Sequence, residues 1–119
     1  MAGVIGRGDA LHRDEIPPGT LYLLILGTLA RAGEMHGYEI ANSIQRISQD
    51  VLQVEEGSLY PALQRMLIKG WVTAKWGTTA GKVRARYYQL TAAERKQLEV
   101  EMSQFERVIG AIARVIEAV

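Results

Sequence analysis

At Gly70 the apolar residues of the chain change their period, and that change constrains the fold more than any other feature. Before it, apolar residues recur at helical spacing. After it, Trp71-Val72-Thr73-Ala74-Lys75-Trp76 alternates like a strand. Gly77-Thr78-Thr79-Ala80-Gly81 reads as a flexible turn, and residues 83–90 as the returning strand. From Leu98 the period changes again, to alternating steps of four and three. The expected class is mainly α with a small β-hairpin.

The helical part divides into three. Pro17-Pro18-Gly19-Thr20 breaks any earlier structure and can start a helix. Residues 21–31 are apolar on nearly all sides, which suits the centre of a core. Gly33 is a candidate left-handed cap. His36-Gly37 opens a second helix, with Tyr38, Ile40, Ala41, Ile44 and Ile47 at helical spacing. Residues 48–56 form a polar turn. A third helix lies between Glu56 and Gly70, with Ser58 as a candidate cap and Pro61 in its first turn. Leu59, Leu63, Met66 and Leu67 make its apolar face. Ser58, Gln64 and Arg65 lie opposite, with Tyr60 and Lys69 on the flanks. Tyr38, Tyr88 and Trp71 are read as core residues.

Thr91-Ala92-Ala93-Glu94 has the form of a capping box, in which Glu94 reaches back to the cap. The helix it starts carries Leu98, Met102, Phe105, Ile109, Ile112, Ile116 and Val119, a heptad seam. The expected organisation is a loose arm over residues 1–16, a domain over 17–90 and a dimerisation helix over 91–119. The final helix could lie on its own domain as core, but a seam of seven apolar positions is longer than that needs. The expected partner is the same helix of a second subunit, or that subunit's first helix.

Net charge is only +1, from 14 Lys and Arg against 13 Asp and Glu. Its distribution says more. Between positions 65 and 86 stand Arg65, Lys69, Lys75, Lys82, Arg84 and Arg86, with no acid among them. A one-sign stretch in a nearly neutral chain is a local basic face. The absence of cysteine excludes disulfides and thiolate metal sites. No run of ~18 uncharged apolar residues suggests a membrane span. The first residues lack a secretion signal, so a cytoplasmic location is expected. His12 and His36 have no partner at ligand spacing, and no metal or cofactor is expected. Gly6-Arg7-Gly8 lacks the flanking strand and helix of a phosphate loop. Asp50, Glu55 and Glu56 sit in a polar turn and read as solvated or capping. No set of acid, base and nucleophile can be named, so enzymatic activity is not expected.

Helices two and three, joined by a short turn, make a helix-turn-helix, and the basic hairpin after them makes a wing. The major groove of B-DNA is about one helix wide. A helix buried on one face can therefore offer the other to base edges. Ser58, Gln64, Arg65 and Lys69 are the candidate contacts on the helix. Tyr60 either touches DNA or packs on the second helix. Lys82, Arg84 and Arg86 are candidate phosphate contacts. Strand alternation puts Arg84 and Arg86 on the side of Tyr88 and Leu90, so Arg86 is also a candidate packing residue. Trp76 could be exposed, pack on the dimer helix, or line a ligand cavity with Phe105.

His36-Gly37-Tyr38-Glu39-Ile40, Gly57-Ser58-Leu59-Tyr60-Pro61-Ala62-Leu63 and Arg86-Tyr87-Tyr88-Gln89-Leu90-Thr91, in that order and spacing, resemble the PadR family of bacterial transcriptional regulators. The resemblance covers residues 20–119 and looks like the short subfamily with one C-terminal helix. It implies a winged helix-turn-helix with a C-terminal dimerisation region. It also implies repression, released when a small-molecule effector or other signal changes the dimer. Separately, two reading helices of a homodimer about one DNA turn apart would match a palindromic double-stranded DNA operator. One departure touches the wing. Family members often carry a basic-Pro-basic pattern where this chain has Lys82-Val83-Arg84-Ala85-Arg86. The competing reading is a protein-interaction module that keeps the scaffold without reading DNA.

Overall fold

Ile25, Leu26 and Leu29 lie on one helix and are almost wholly removed from solvent. Around them the other elements are arranged. The computed structural model describes residues 19–118. In chain order the elements are α1 (Thr20–Ala32), β1 (Met35–His36), α2 (Gly37–Ile47), α3 (Glu56–Ile68), β2 (Val72–Thr78), β3 (Arg84–Leu90) and α4 (Ala92–Glu117). The expected arm over 1–16, with His12, and the last seam residue Val119 lie outside the described residues. α2 contributes Ile40 and Ile44 to the core. α3 adds Leu59, Ala62, Leu63 and Met66, the strands add Val72, Tyr88 and Leu90, and α4 adds Leu98.

The hairpin has a third strand. β3 pairs antiparallel with β2 on one edge and with the short β1 on the other, in the order β1-β3-β2. Two residues carry no measurable period, so β1 is invisible to spacing. The wing turn also sits further along than expected. Gly77 belongs to β2. The tip is Ala80-Gly81-Lys82, closed by the Lys82 N–H donating to the Thr79 carbonyl at 2.8 Å. The Val83 N–H donates to Thr79 Oγ1 at 3.1 Å. Lys82, not Gly81, takes the left-handed conformation that closes such a loop, with φ 65°.

His36 caps α2. Its Nδ1 accepts from the Glu39 N–H at 3.4 Å, and its own N–H donates to Glu39 Oε1 at 3.2 Å. This is a reciprocal capping box with imidazole in place of a hydroxyl. Tyr38 does not join the core; it is 63% exposed. It stands two residues before Ile40, which on a helix turns it to the opposite side. Ile47, at the end of α2, is also exposed.

α3 starts earlier than the Ser58 cap predicts. Its N-cap is Glu55, and Ser58 lies inside the first turn. Pro61 therefore falls one turn deeper, and the helix forgoes the hydrogen bond to the Gly57 carbonyl. The far end is a Schellman closure: the Trp71 N–H donates to the Met66 carbonyl at 2.9 Å and the Gly70 N–H to that of Leu67 at 3.1 Å. Gly70 supports it with φ 77°.

Thr91 caps α4, accepting from the Glu94 N–H at 3.3 Å and donating to the Trp71 carbonyl at 3.3 Å. The other half of the expected box is missing. Glu94 turns inward, is 6% exposed, and its Oε2 is buried without a hydrogen-bond partner among the described residues. Burial, and then the charge of Glu101, raise its pKa. The folded state thus favours the protonated carboxyl. This contribution is greatest below the unfolded-state pKa and is lost as pH rises through the folded-state value. Glu94→Gln is expected to raise the melting temperature at pH 7, with the gap to the parent closing below about pH 4. Thermal denaturation across pH checks this; an equal gap at both ends would contradict it.

Candidate nucleic-acid interface

Because Leu59, Ala62, Leu63 and Met66 are buried, the opposite face of α3 is determined by helical rotation. It consists of Gly57, Pro61, Gln64 and Ile68, all exposed. Ile68 is 75% exposed, although in sequence it looks like one more core residue of an apolar helix. Ser58 and Arg65 flank this stripe on one side, Tyr60 on the other.

Tyr60 has its side chain against the second helix. A Cβ placed on Gly37 would lie 2.7 Å from Tyr60 Cε1, closer than such atoms can approach. The ring seat thus needs the glycine, and two of the three sequence motifs meet here. The third motif is divided by strand alternation. Tyr88 enters the core. Tyr87 covers the outer face of the sheet, edge-on to the His36 ring at 5.4 Å between centroids. It also lies over Gly77, where a Cβ would meet its ring at 2.9 Å.

The basic stretch separates into three groups in space. Lys75 points to the outer sheet face and pairs with Glu34 at 3.0 Å, so its charge is answered within the chain. Arg65 donates from Nε to the Tyr22 hydroxyl and lies 5.6 Å from that ring. Tyr22 packs edge-on to Trp71 at 5.8 Å, and Lys69 Nζ stands 5.0 Å from the Trp71 ring. Arg65 and Lys69 are thus exposed cations with anchored stems along α1 and α3. Tyr22 is 43 residues away in sequence, and no spacing rule points to it. Arg84 and Arg86 form the third group, on the sheet face that holds Trp76. Lys82 is exposed at the tip.

Between α3 and the wing lies an open cleft of about 790 Å³, lined by Tyr38, Tyr60, Gln64, Trp76, Arg84 and Arg86 among others. Trp76 lies here, 57% exposed and stacked with the two arginines, and not on α4. Phe105 lines a separate apolar groove of about 480 Å³ with Leu23, Leu24, Ile44 and Met102. Within the single chain Trp76 and Phe105 thus line different cavities.

Of the expected seam, Leu98 is buried in its own domain's core, because the first turns of α4 lie against α1. Met102 and Phe105 line the groove and are each 37% exposed. Ile109, Ile112 and Ile116 are exposed beyond it. Among the described residues no helix is long and apolar enough to cross a membrane, and no cluster of three His, Cys, Asp or Glu could hold a metal ion.

Three helices, a small sheet with a basic hairpin and a projecting final helix define a winged helix-turn-helix protein. The model of the PadR-like family of transcriptional regulators matches residues 25–100, and the chain belongs to that family. A transcriptional regulator of Clostridium thermocellum has the same fold, with a TM-score of 0.70 at 23% identity over 92% of this chain and 97% of its own. A PadR family transcription regulator of Clostridium difficile gives 0.70 at 26% identity, over 82% of this chain and 99% of its own. Bacillus subtilis PadR, solved in complex with operator DNA, gives 0.62 at 26% identity, over 72% of this chain and 48% of its own.

The Gly37–Tyr60 contact gives a direct test of how the site is built. Gly37→Ala is expected to destabilise the fold by about 1–3 kcal/mol through the clash. In a Tyr60→Ala background the same change should cost less than half as much. Urea denaturation of the four proteins measures the difference; equal penalties would show that the ring is not what excludes a side chain at 37.

Proposed function

We propose that this protein binds double-stranded DNA sequence-specifically as a homodimer, inserting the outward face of α3 into the major groove and laying the wing on the adjacent backbone. The observation that carries this reading is the exposed stripe Gly57–Pro61–Gln64–Ile68 with cations on both sides of it. Gln64 offers a paired donor and acceptor of the kind that reads adenine, and Ile68 an apolar surface of the kind that meets a thymine methyl. Ser58 and Arg65 on one flank, with Lys69 behind them, face one phosphate strand. Lys82, Arg84 and Arg86 across the cleft face the other. Tyr60 contributes at the cleft by supporting α3 on α2. The solved complex of the Bacillus subtilis relative with operator DNA supports the same use of this fold.

The dimer follows from α4. Met102, Phe105, Ile109, Ile112 and Ile116 lie along one side of a helix that the rest of its own chain leaves largely uncovered. A second subunit would cover them, by its own α4 or its α1, and would supply the second reading helix for a palindromic operator. The protein then works in the cytoplasm as a repressor, and a small-molecule effector releases it by altering the dimer. The apolar groove between α1, α2 and α4 is where such a compound would touch the domain and the dimer helix together.

Two measurements test this. The Lys82→Ala, Arg84→Ala double variant should bind a fluorescein-labelled duplex of mixed sequence more weakly than the parent. Its slope of log K against log salt should be shallower by about 2, since each lost phosphate contact removes about 0.9. Arg65→Ala should weaken binding as well, by roughly one contact. Anisotropy titrations at several salt concentrations decide; parent-like affinity and slope in both variants would refute the interface. For the dimer, Ile109→Asp with Ile112→Asp should give a monomer in analytical ultracentrifugation. An unchanged dimer mass would remove α4 from the interface.

A further inference from the structure

We infer that Trp76 is a positioning residue of the wing, whose indole holds the guanidinium groups of Arg84 and Arg86 as a preformed pair for duplex phosphates. The inference rests on the duplex-binding reading above.

An exposed tryptophan close to a hairpin tip is not explained by burial, since more than half of its surface, 57%, faces solvent. Its neighbours explain it. The register sets Trp76 directly opposite Arg86, and Thr78 in the next inward-facing row opposite Arg84. Side chains two apart on a strand share a face, so both arginines are on the side of the indole. The Arg84 guanidinium carbon is 4.4 Å from the Trp76 ring centroid and that of Arg86 5.8 Å. Arg86 is also 5.9 Å from the Tyr88 ring. Arg86 Nε is buried without a hydrogen-bond partner among the described residues, and the Trp76 and Tyr88 rings lie beside its guanidinium.

Arg65 and Lys69 also lie over aromatic rings, but each has a ring to itself. Lys75 has Glu34 and Arg65 has the Tyr22 hydroxyl. Among the described residues, only at Trp76 do two cations share one aromatic ring. Two adjacent guanidinium groups repel each other, and the negative face of the indole offsets that repulsion. Long arginine side chains also lose rotamer freedom when they bind, and holding them beforehand removes part of that loss. A ring can do this without consuming the N–H donors that a phosphate needs, whereas a carboxylate partner would occupy them. The cleft floor of Tyr60 and Tyr88 fixes the geometry behind the pair, because Tyr88 belongs to the core.

The test uses the full-length protein and a fluorescein-labelled duplex of mixed sequence, with anisotropy read at several salt concentrations. Trp76→Ala is expected to weaken binding about five- to tenfold, with the salt slope unchanged because both charges remain. Trp76→Phe, which keeps a π face, should recover most of the loss. In an Arg84→Gln, Arg86→Gln background, Trp76→Ala should have no further effect. Should Trp76→Ala lower the melting temperature, Trp76→Leu keeps the apolar bulk without the π face and should bind as weakly as the alanine variant was expected to. The inference is overturned if neither variant weakens binding, if phenylalanine restores nothing, or if the loss persists in the double-glutamine background, which would make Trp76 a direct DNA contact. A parent that shows no salt-dependent duplex binding removes the duplex-binding reading and this inference with it. A parent that binds while Trp76→Ala matches it removes the inference alone.

Discussion

Strand β3 is hydrogen-bonded on both edges, and the rest of the molecule is organised by that double pairing. β1 on one edge leads directly into α2 through the His36 cap. β2 on the other edge follows directly from the Schellman closure of α3. The two helices of the helix-turn-helix are thus tied to a single strand at Tyr87 and Tyr88. Alternation along β3 then separates its tasks. Tyr88 and Leu90 fill the core, Tyr87 covers the outer face over His36 and Gly77, and Arg84 and Arg86 continue the inner face beyond the core to the cleft. A one-residue slip would set Tyr87 and Gln89 where Tyr88 and Leu90 fill the core and would turn both arginines away from the cleft.

The orientation of α3 depends on contacts at both of its ends. Tyr60 rests on Gly37 at one end, and Arg65 and Lys69 lean on Tyr22 and Trp71 at the other. Aromatic rings therefore hold basic or helical parts at three places: Tyr22 with Arg65, Trp71 with Lys69, and Trp76 with the wing arginines. In a chain of net charge +1 this matters. Electrostatic attraction to a polyanion cannot come from excess charge, so it has to come from where a few cations are held.

Periodicity was enough to read the three helices, the hairpin and the long final helix, because each is longer than its own repeat. It failed where geometry depends on distant partners or on very short elements. β1 is two residues long. Ser58 has the chemistry of a cap, yet Glu55 opens the helix, and only the backbone N–H groups of Ser58 and Leu59, which both donate to the Glu55 carbonyl, reveal it. Leu98 fits the heptad row, but α4 begins against α1, so the row serves the domain's core before it becomes free for a partner. Tyr38 and Tyr88 looked alike in composition and differ because one sits on the outer side of a helix and the other on the inner side of a strand. Of the basic stretch, Lys75 could be separated from the others only by the nearness of Glu34.

The central claim is that the outward face of α3 and the wing form one surface for duplex DNA. Amide and side-chain NMR shifts, followed while duplex is added to the labelled protein, test it most directly. The perturbed signals are expected to cluster at Gly57, Gln64, Ile68, Lys82 and Arg84 and at the Trp76 indole. Shifts confined to α4 and the α1–α2 groove, with α3 and the wing unchanged, would contradict it.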